Sequence, residues 1–188
     1  MTCARKTLLY AVTCVVIIGV MVTDVRAEHH GDPLNQMEID QLRDASWNPE
    51  QRLKLYATFA RARLDAVEQA RTDPKVTNKS QQIHDRLQDF LDVYDELNEN
   101  IDTYVDRKSD LRRALKPVIE SDTEFQAKLR AVKDAADTSK QETQTYEFLL
   151  TNALETIDAS AQDHRQLLKE EEEQWKHKKP AKSSTAQD

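Results

Sequence analysis

The chain has little glycine and little cysteine, two of each in 188 residues, and its aromatic content is only 6%. Both cysteines, Cys3 and Cys14, and one of the glycines, Gly19, lie in an N-terminal apolar stretch, so the rest of the chain has no thiol and only Gly31. Disulfide scaffolds, thiolate metal sites, cysteine nucleophiles and covalent haem attachment all need cysteine, and that remainder cannot build them. Phosphate-cradling loops need glycine, which excludes them beyond residue 31. Turns that require positive φ are left with Asn and Asp, the residues that tolerate it best after glycine.

Arg5 and Lys6 precede an uncharged run from Thr7 to Thr23, and Val25-Arg26-Ala27 then offers small residues where a signal peptidase cuts. Residues 1–27 therefore read as a signal peptide. The alternative is an uncleaved inner-membrane anchor, because the run sits at the lower edge of bilayer-spanning length. Cys14, preceded by Val12 and Thr13, lacks the setting of a lipidated cysteine. Export would make the protein periplasmic or secreted, with membrane contact only if the leader stays attached. Cleavage after Ala27 removes Arg5, Lys6, Arg26 and Asp24, taking the formal net charge from −7 to −9. A nucleic-acid backbone is repelled by that balance, so no such partner is expected. With no cysteine in an oxidising compartment, packing alone must hold the fold.

The residues after the leader are patterned for helices. Asp32-Pro33 resembles an N-cap followed by proline, opening a short helix through about Asp44 with Leu34, Met37 and Leu42 on one face. Asn48-Pro49-Glu50 repeats the signal, and Leu53, Tyr56, Ala60, Leu64 and Val67 follow at spacings of three and four. This helix should stop near Thr72, because Pro74 disfavours helical geometry at Asp73. Ile83, Leu87, Phe90, Tyr94, Leu97, Ile101, Tyr104, Lys108, Leu111, Leu115 and Val118 then form a heptad seam with one polar member, widened by Leu91 and Val105.

Pro117 falls inside this seam and must kink or interrupt it. A restart near Ser109 or Asp110 is the preferred reading, with Pro117 as a kink in the next helix. The alternative is a break at Ser121, which with Glu124 has capping-box spacing. Phe125, Leu129, Val132 and Ala136 continue the stripe to a turn at Asp137-Thr138-Ser139. A last helix carries Tyr146, Leu150, Ala153, Ile157, His164 and Leu167, widened by Leu149, Leu154, Ala161 and Leu168. No internal repeat beyond the heptad is visible. The expected fold is all-α: an elongated antiparallel bundle of three to four long helices with a short N-terminal helix, over residues 28–178. Residues 179–188, around Pro180, are expected to form a disordered tail.

The most specific polar feature is a strip on the third helix. Asp85, Asp89, Asp92, Asp95, Glu96, Glu99, Asp102 and Asp106 occupy outer positions relative to the seam, offset only by Arg86. Like charges four residues apart cost roughly 0.2–0.5 kcal/mol per pair, so compensation is expected. It could come from water and the bases Arg52, Lys54, Arg61, Arg63 and Arg71 on the second helix, or from a basic protein partner. Calcium is a poorer fit, because a straight helix points its carboxylates apart.

Cleavage after Ala27 would also leave Glu28-His29-His30 at the N-terminus. The free amine, two backbone amides and the imidazole of His30 supply the planar nitrogen set that Cu(II) and Ni(II) prefer. Of the other histidines, His164 falls on the seam of the last helix and reads as a hydrogen-bonded interior or border residue rather than a ligand, while His84 and His177 read as solvated. No di-iron, zinc-hydrolase or nucleophile-elbow pattern is present. The aromatics, Phe148 among them, mostly follow core spacing. Trp47 suits a hydrophobic staple against Leu53 or a neighbouring element, and Trp175 beside the terminal lysines could touch a membrane surface. Asn78-Lys79-Ser80 has the spacing of a glycosylation acceptor, meaningful only in a eukaryotic secretory pathway. These features point to an exported, non-enzymatic bundle acting in protein–protein interaction or structural spacing in the cell envelope, with no cofactor. The alternative is a metal-handling protein using Glu28, His29 and His30.

Overall fold

A computed structural model describes residues 32–136 and 144–178. The expected leader, Glu28-His29-His30, the turn at Asp137-Thr138-Ser139 and the tail 179–188 lie outside the described residues. Within them are five helices and no strand: α1 Gln36–Asp44, α2 Pro49–Thr72, α3 Lys79–Asp106, α4 Leu115–Ala136 and α5 Glu147–Lys178. The fold is all-α, a bundle of four long helices led by a short one. No helix among the described residues is long and apolar enough to cross a membrane.

The helix ends follow from local chemistry. At α2 the Asn48 side chain accepts from the Gln51 N–H at 3.2 Å and Pro49 stands at the first helical position, as expected. The helix closes at Thr72, and Asp73 is extended, the geometry that Pro74 requires of it. The start of α1 differs from the sequence reading. Asn35, not Asp32, is the N-cap, and it forms a capping box with Glu38. The buried face of α1 consequently carries Glu38 and Leu42, with Leu34 packed beside the core, while Met37 is 69% exposed. Glu38 can be buried because Arg63 on α2 grips both of its oxygens, at 2.8 and 2.6 Å. Burial would push its carboxyl up, but hydrogen bonds from Arg63 and from the Asn35 N–H outweigh that and hold it below the usual range.

The third helix ends at Asp106, close to the preferred break. Its end is closed by two bonds, Lys108 N–H to Val105 O at 2.8 Å and Ser109 N–H to Tyr104 O at 3.0 Å. Lys108 takes the left-handed conformation at φ 55°, and Asn78 before α3 does the same at φ 53°. Positive φ is therefore not confined to Asn and Asp, and Lys108 is not part of a helical seam. Leu111, Leu115 and Val118 remain buried beyond the break, so the apolar register survives a change of helix. Pro117 falls at the start of α4 rather than in its interior. It lies in the first turn, where backbone N–H groups have the least to lose. Ser121 is no cap either. It sits within α4, and its hydroxyl donates back to Pro117 O at 2.9 Å.

The order of packing around the bundle is α2, α3, α5, α4, with α4 closing on α2. Consecutive helices run antiparallel: Arg52 and Tyr56 reach Asn100 across α2 and α3, and Gln126 reaches Asp158 across α4 and α5. Neighbours one hairpin apart run parallel. Arg61 bonds Glu124 and Lys128 bonds Asp65, both across 63 positions, and Asn98 bonds Ser160 across 62. Two helical hairpins thus lie side by side in the same direction. Core positions recur at that spacing, with Leu53 matched by Leu115, Val67 by Leu129, Ile83 by Tyr146, Leu87 by Leu150 and Tyr94 by Ile157, all buried. The repeat lies in burial rather than in residue identity, which hides it in the sequence.

Phe90, Tyr94 and Phe125 form the aromatic centre. Phe125 stands edge-on to both α3 rings, at 5.5 and 6.2 Å between centroids, and so spans the bundle diagonal from α4 to α3. Leu91 is buried as expected, but Val105 is 39% exposed, Phe148 85% and Trp47 79%. Trp47 is therefore not a staple on Leu53, and Phe148 is not core. Each stands next to a helix terminus, just beyond the reach of the stripe.

Lys108 holds a conformation that disfavours any side chain with a β-carbon. Lys108→Gly should stabilise the protein by about 0.5–1 kcal/mol, the relief of left-handed strain exceeding the added chain entropy. Urea unfolding would show this as a raised midpoint, and a lowered midpoint would contradict the Lys108 geometry.

Candidate functional site

The apolar seam of α4 runs Leu115, Val118, Phe125, Leu129 and Val132, and the position between Val118 and Phe125 is Asp122, which has no exposed surface. A carboxylate there must find donors within the protein. Tyr94 on α3 donates its hydroxyl to Asp122 Oδ1 at 2.8 Å, and His164 Nδ1 on α5 meets Asp122 Oδ2 at 2.9 Å. One acid thereby ties three helices together. Burial, then the charge and hydrogen bond of Asp122, hold the Tyr94 hydroxyl far above the usual tyrosine range, so it remains a donor. The matching positions of the first hairpin are Ala60 and Ile101, both buried and apolar. The polar centre belongs to the second hairpin, and its diagonal partner Tyr94 belongs to the first.

His164 is 4% exposed, in agreement with its reading as an interior residue. With Asp122 accepting, Nδ1 is the donor nitrogen, and Nε2 has no hydrogen-bond partner among the described residues. Among the described residues, Asn98 Oδ1 is the one side-chain oxygen or nitrogen that is sealed from water without a partner. Nε2 therefore still reaches solvent. Its outlet is a groove of about 270 Å³ between α3 and α5, which His164 lines. The α3 wall is Asn98, Ile101, Asp102 and Val105, and the α5 wall is Ser160, Asp163, His164 and Leu167. Both walls have the spacing of a single helix face, and the two parallel helices present them to each other.

The eight acids of α3 meet different fates. Asp85 is bonded by Gln81 at 2.8 Å and has His84 beside it at 3.4 Å, Asp89 is bonded by Arg86 at 3.1 Å and Asp92 by Gln88 at 2.7 Å. Glu96 sits 3.5 Å from the Tyr56 hydroxyl. Partial burial, followed by the nearby Asp92 and Glu99, raises the Asp95 carboxyl above its ordinary range. Glu99, Asp102 and Asp106 are exposed and form no ion pair among the described residues. The bases of α2 do not serve this strip as their main partners. Arg52 bonds Leu42 O and Asn100, Arg61 bonds Glu124 and Ser121, Arg63 bonds Glu38, and Arg71 bonds Glu68. Compensation by the second helix is therefore largely absent towards the C-terminal half of α3.

Trp175 is 43% exposed. Arg112 lies over its ring at 3.7 Å and is itself held by Asp110 at 2.8 and 2.6 Å, which pins the end of α5 to the turn between α3 and α4. His177 is exposed. Among the described residues no group of three or more histidines, cysteines or acids is placed to hold a metal. The sequence reading picked out the acidic strip and His164 but missed Asp122 and the groove. The signal was there, since Asp122 occupies the seam register of α4 as His164 does that of α5. No family model, no curated protein and no solved structure matches the chain.

Truncating Asp122 would leave the Tyr94 hydroxyl and His164 Nδ1 buried without an acceptor. Asp122→Ala should cost about 3–5 kcal/mol and Tyr94→Phe about 1–3 kcal/mol by urea denaturation. Equal and small losses for the two would mean that the carboxylate does not tie the helices.

Proposed function

We propose that the chain is an exported, non-enzymatic helical bundle that works by binding a basic protein partner in the cell envelope. The observation that carries this reading is the run of carboxylates ending α3. Glu99, Asp102 and Asp106 are exposed and form no ion pair among the described residues, and the carboxyl of Asp95 is raised first by partial burial and then by the nearby Asp92 and Glu99. Like charges at helical spacing destabilise α3 slightly, and a partner's cations would turn that repulsion into attraction. The rigid bundle behind the strip fixes the spacing of these acids, which lowers the cost of ordering them on binding.

The strip sits on a surface facing water, so its contribution should be strongly screened by salt. Binding of a hexa-arginine peptide, followed by calorimetry, is expected to weaken at least about tenfold between low and physiological salt. The triple variant Asp95→Asn, Glu99→Gln, Asp106→Asn should weaken it by a similar factor at low salt. Salt-independent binding, or an unchanged triple variant, would dismiss the strip as the docking face.

A further inference from the structure

We infer that the groove between α3 and α5 is a receptor for one arginine or lysine side chain of the partner, inserted beside His164. The inference rests on the partner reading above and gives that partner a specific anchor.

The groove offers acceptors and almost no donors. Asp102 stands on one wall and Asp163 on the other, and no lysine or arginine is among the lining residues. His164 lines the groove and its Nε2 has no hydrogen-bond partner among the described residues, and the buried Asn98 Oδ1 has no donor. The Asn98 amide nitrogen donates to the Ser160 hydroxyl oxygen at 3.2 Å, and turning the amide would only place its NH2 in the unpartnered position that the oxygen holds. A sealed acceptor without a donor costs free energy, so this wall of the groove is already short of donors. Ile101, Val105 and Leu167 supply the apolar remainder of the walls.

That combination matches a long aliphatic stem ending in a cation. The stem lies against the apolar side chains, and the head, all donors, meets the carboxylates and the imidazole nitrogen. A carboxylate or phosphate ligand would face two acids and no cation. A purely apolar ligand would leave the acceptors dry. Asp102 is also a member of the exposed strip, so the groove opens directly from the surface to which a basic partner would be drawn, and long-range attraction and local capture act at one place.

The test uses the protein expressed with its own leader, hexa-arginine as probe, and the ring nitrogens of His164 followed by NMR. Binding should shift the His164 Nε2 resonance, and Asp163→Asn, a change outside the strip, should weaken the peptide about tenfold while leaving the urea midpoint in place. If the peptide binds with strip-dependent affinity but His164 is silent and Asp163→Asn is neutral, the groove inference falls and the strip reading stands. If the peptide does not bind, both fall. Spermidine is the second arm: an equal His164 shift at equal or tighter affinity would reassign the groove from a protein side chain to a free polyamine and overturn the inference.

Discussion

A carboxylate with no exposed surface is an expensive object, and Asp122 dictates much of what surrounds it. Its two donors come from different helices, one across the bundle diagonal and one from the adjacent antiparallel helix. Apolar residues in place of Asp122 and both its donors could fill the volume at little cost in stability, as Ala60 and Ile101 do at the matching places of Asp122 and His164 in the first hairpin. What the acid adds is selectivity. Sliding either hairpin by one turn would leave a charge, a hydroxyl and an imidazole nitrogen unpaired in a dry interior, while an unbroken apolar seam would tolerate the slip.

The same arrangement creates the groove. His164 takes the register that Ile101 takes in α3, but it turns one nitrogen inward to Asp122 and so leaves the other towards the gap between α3 and α5. Asn98 and Ser160 bridge that gap higher up, and below them the walls do not close. The polar residues that lock the core and the polar residues that line the groove are thus one continuous set. Its outer end merges into the acids of α3, which connects the packing of the interior to the chemistry of the surface.

Much of this architecture could be read from the residues alone, because helix burial leaves a periodic trace. The seam residues from Leu53 to Val67, from Ile83 to Tyr104 and from Tyr146 to His164 are buried where their spacing placed them, while Leu167 is only half-buried. The pattern failed where a short-range interaction outweighed periodicity. Glu38 displaced Met37 from the buried face because Asn35 and Arg63 could satisfy it, and Lys108 left the seam because the chain needed a left-handed residue there. The site was harder to see. A partner 28 positions away for Tyr94, or 42 for His164, leaves no local mark, and the hairpin repeat is carried by burial rather than identity. Charge counting found the acids of α3 but could not say that the bases of α2 are engaged elsewhere, since that depends on which helices are neighbours.

The central claim is that the two hairpins form one cooperative body joined at Asp122. Native-state hydrogen exchange measures this most directly. The account predicts that amides flanking Ala60, Tyr94, Asp122 and Ile157 exchange through a single global opening with a common free energy, and that Asp122→Ala lowers all four together. Separate opening free energies for the α2–α3 and α4–α5 hairpins, with Asp122→Ala affecting only the second, would contradict it.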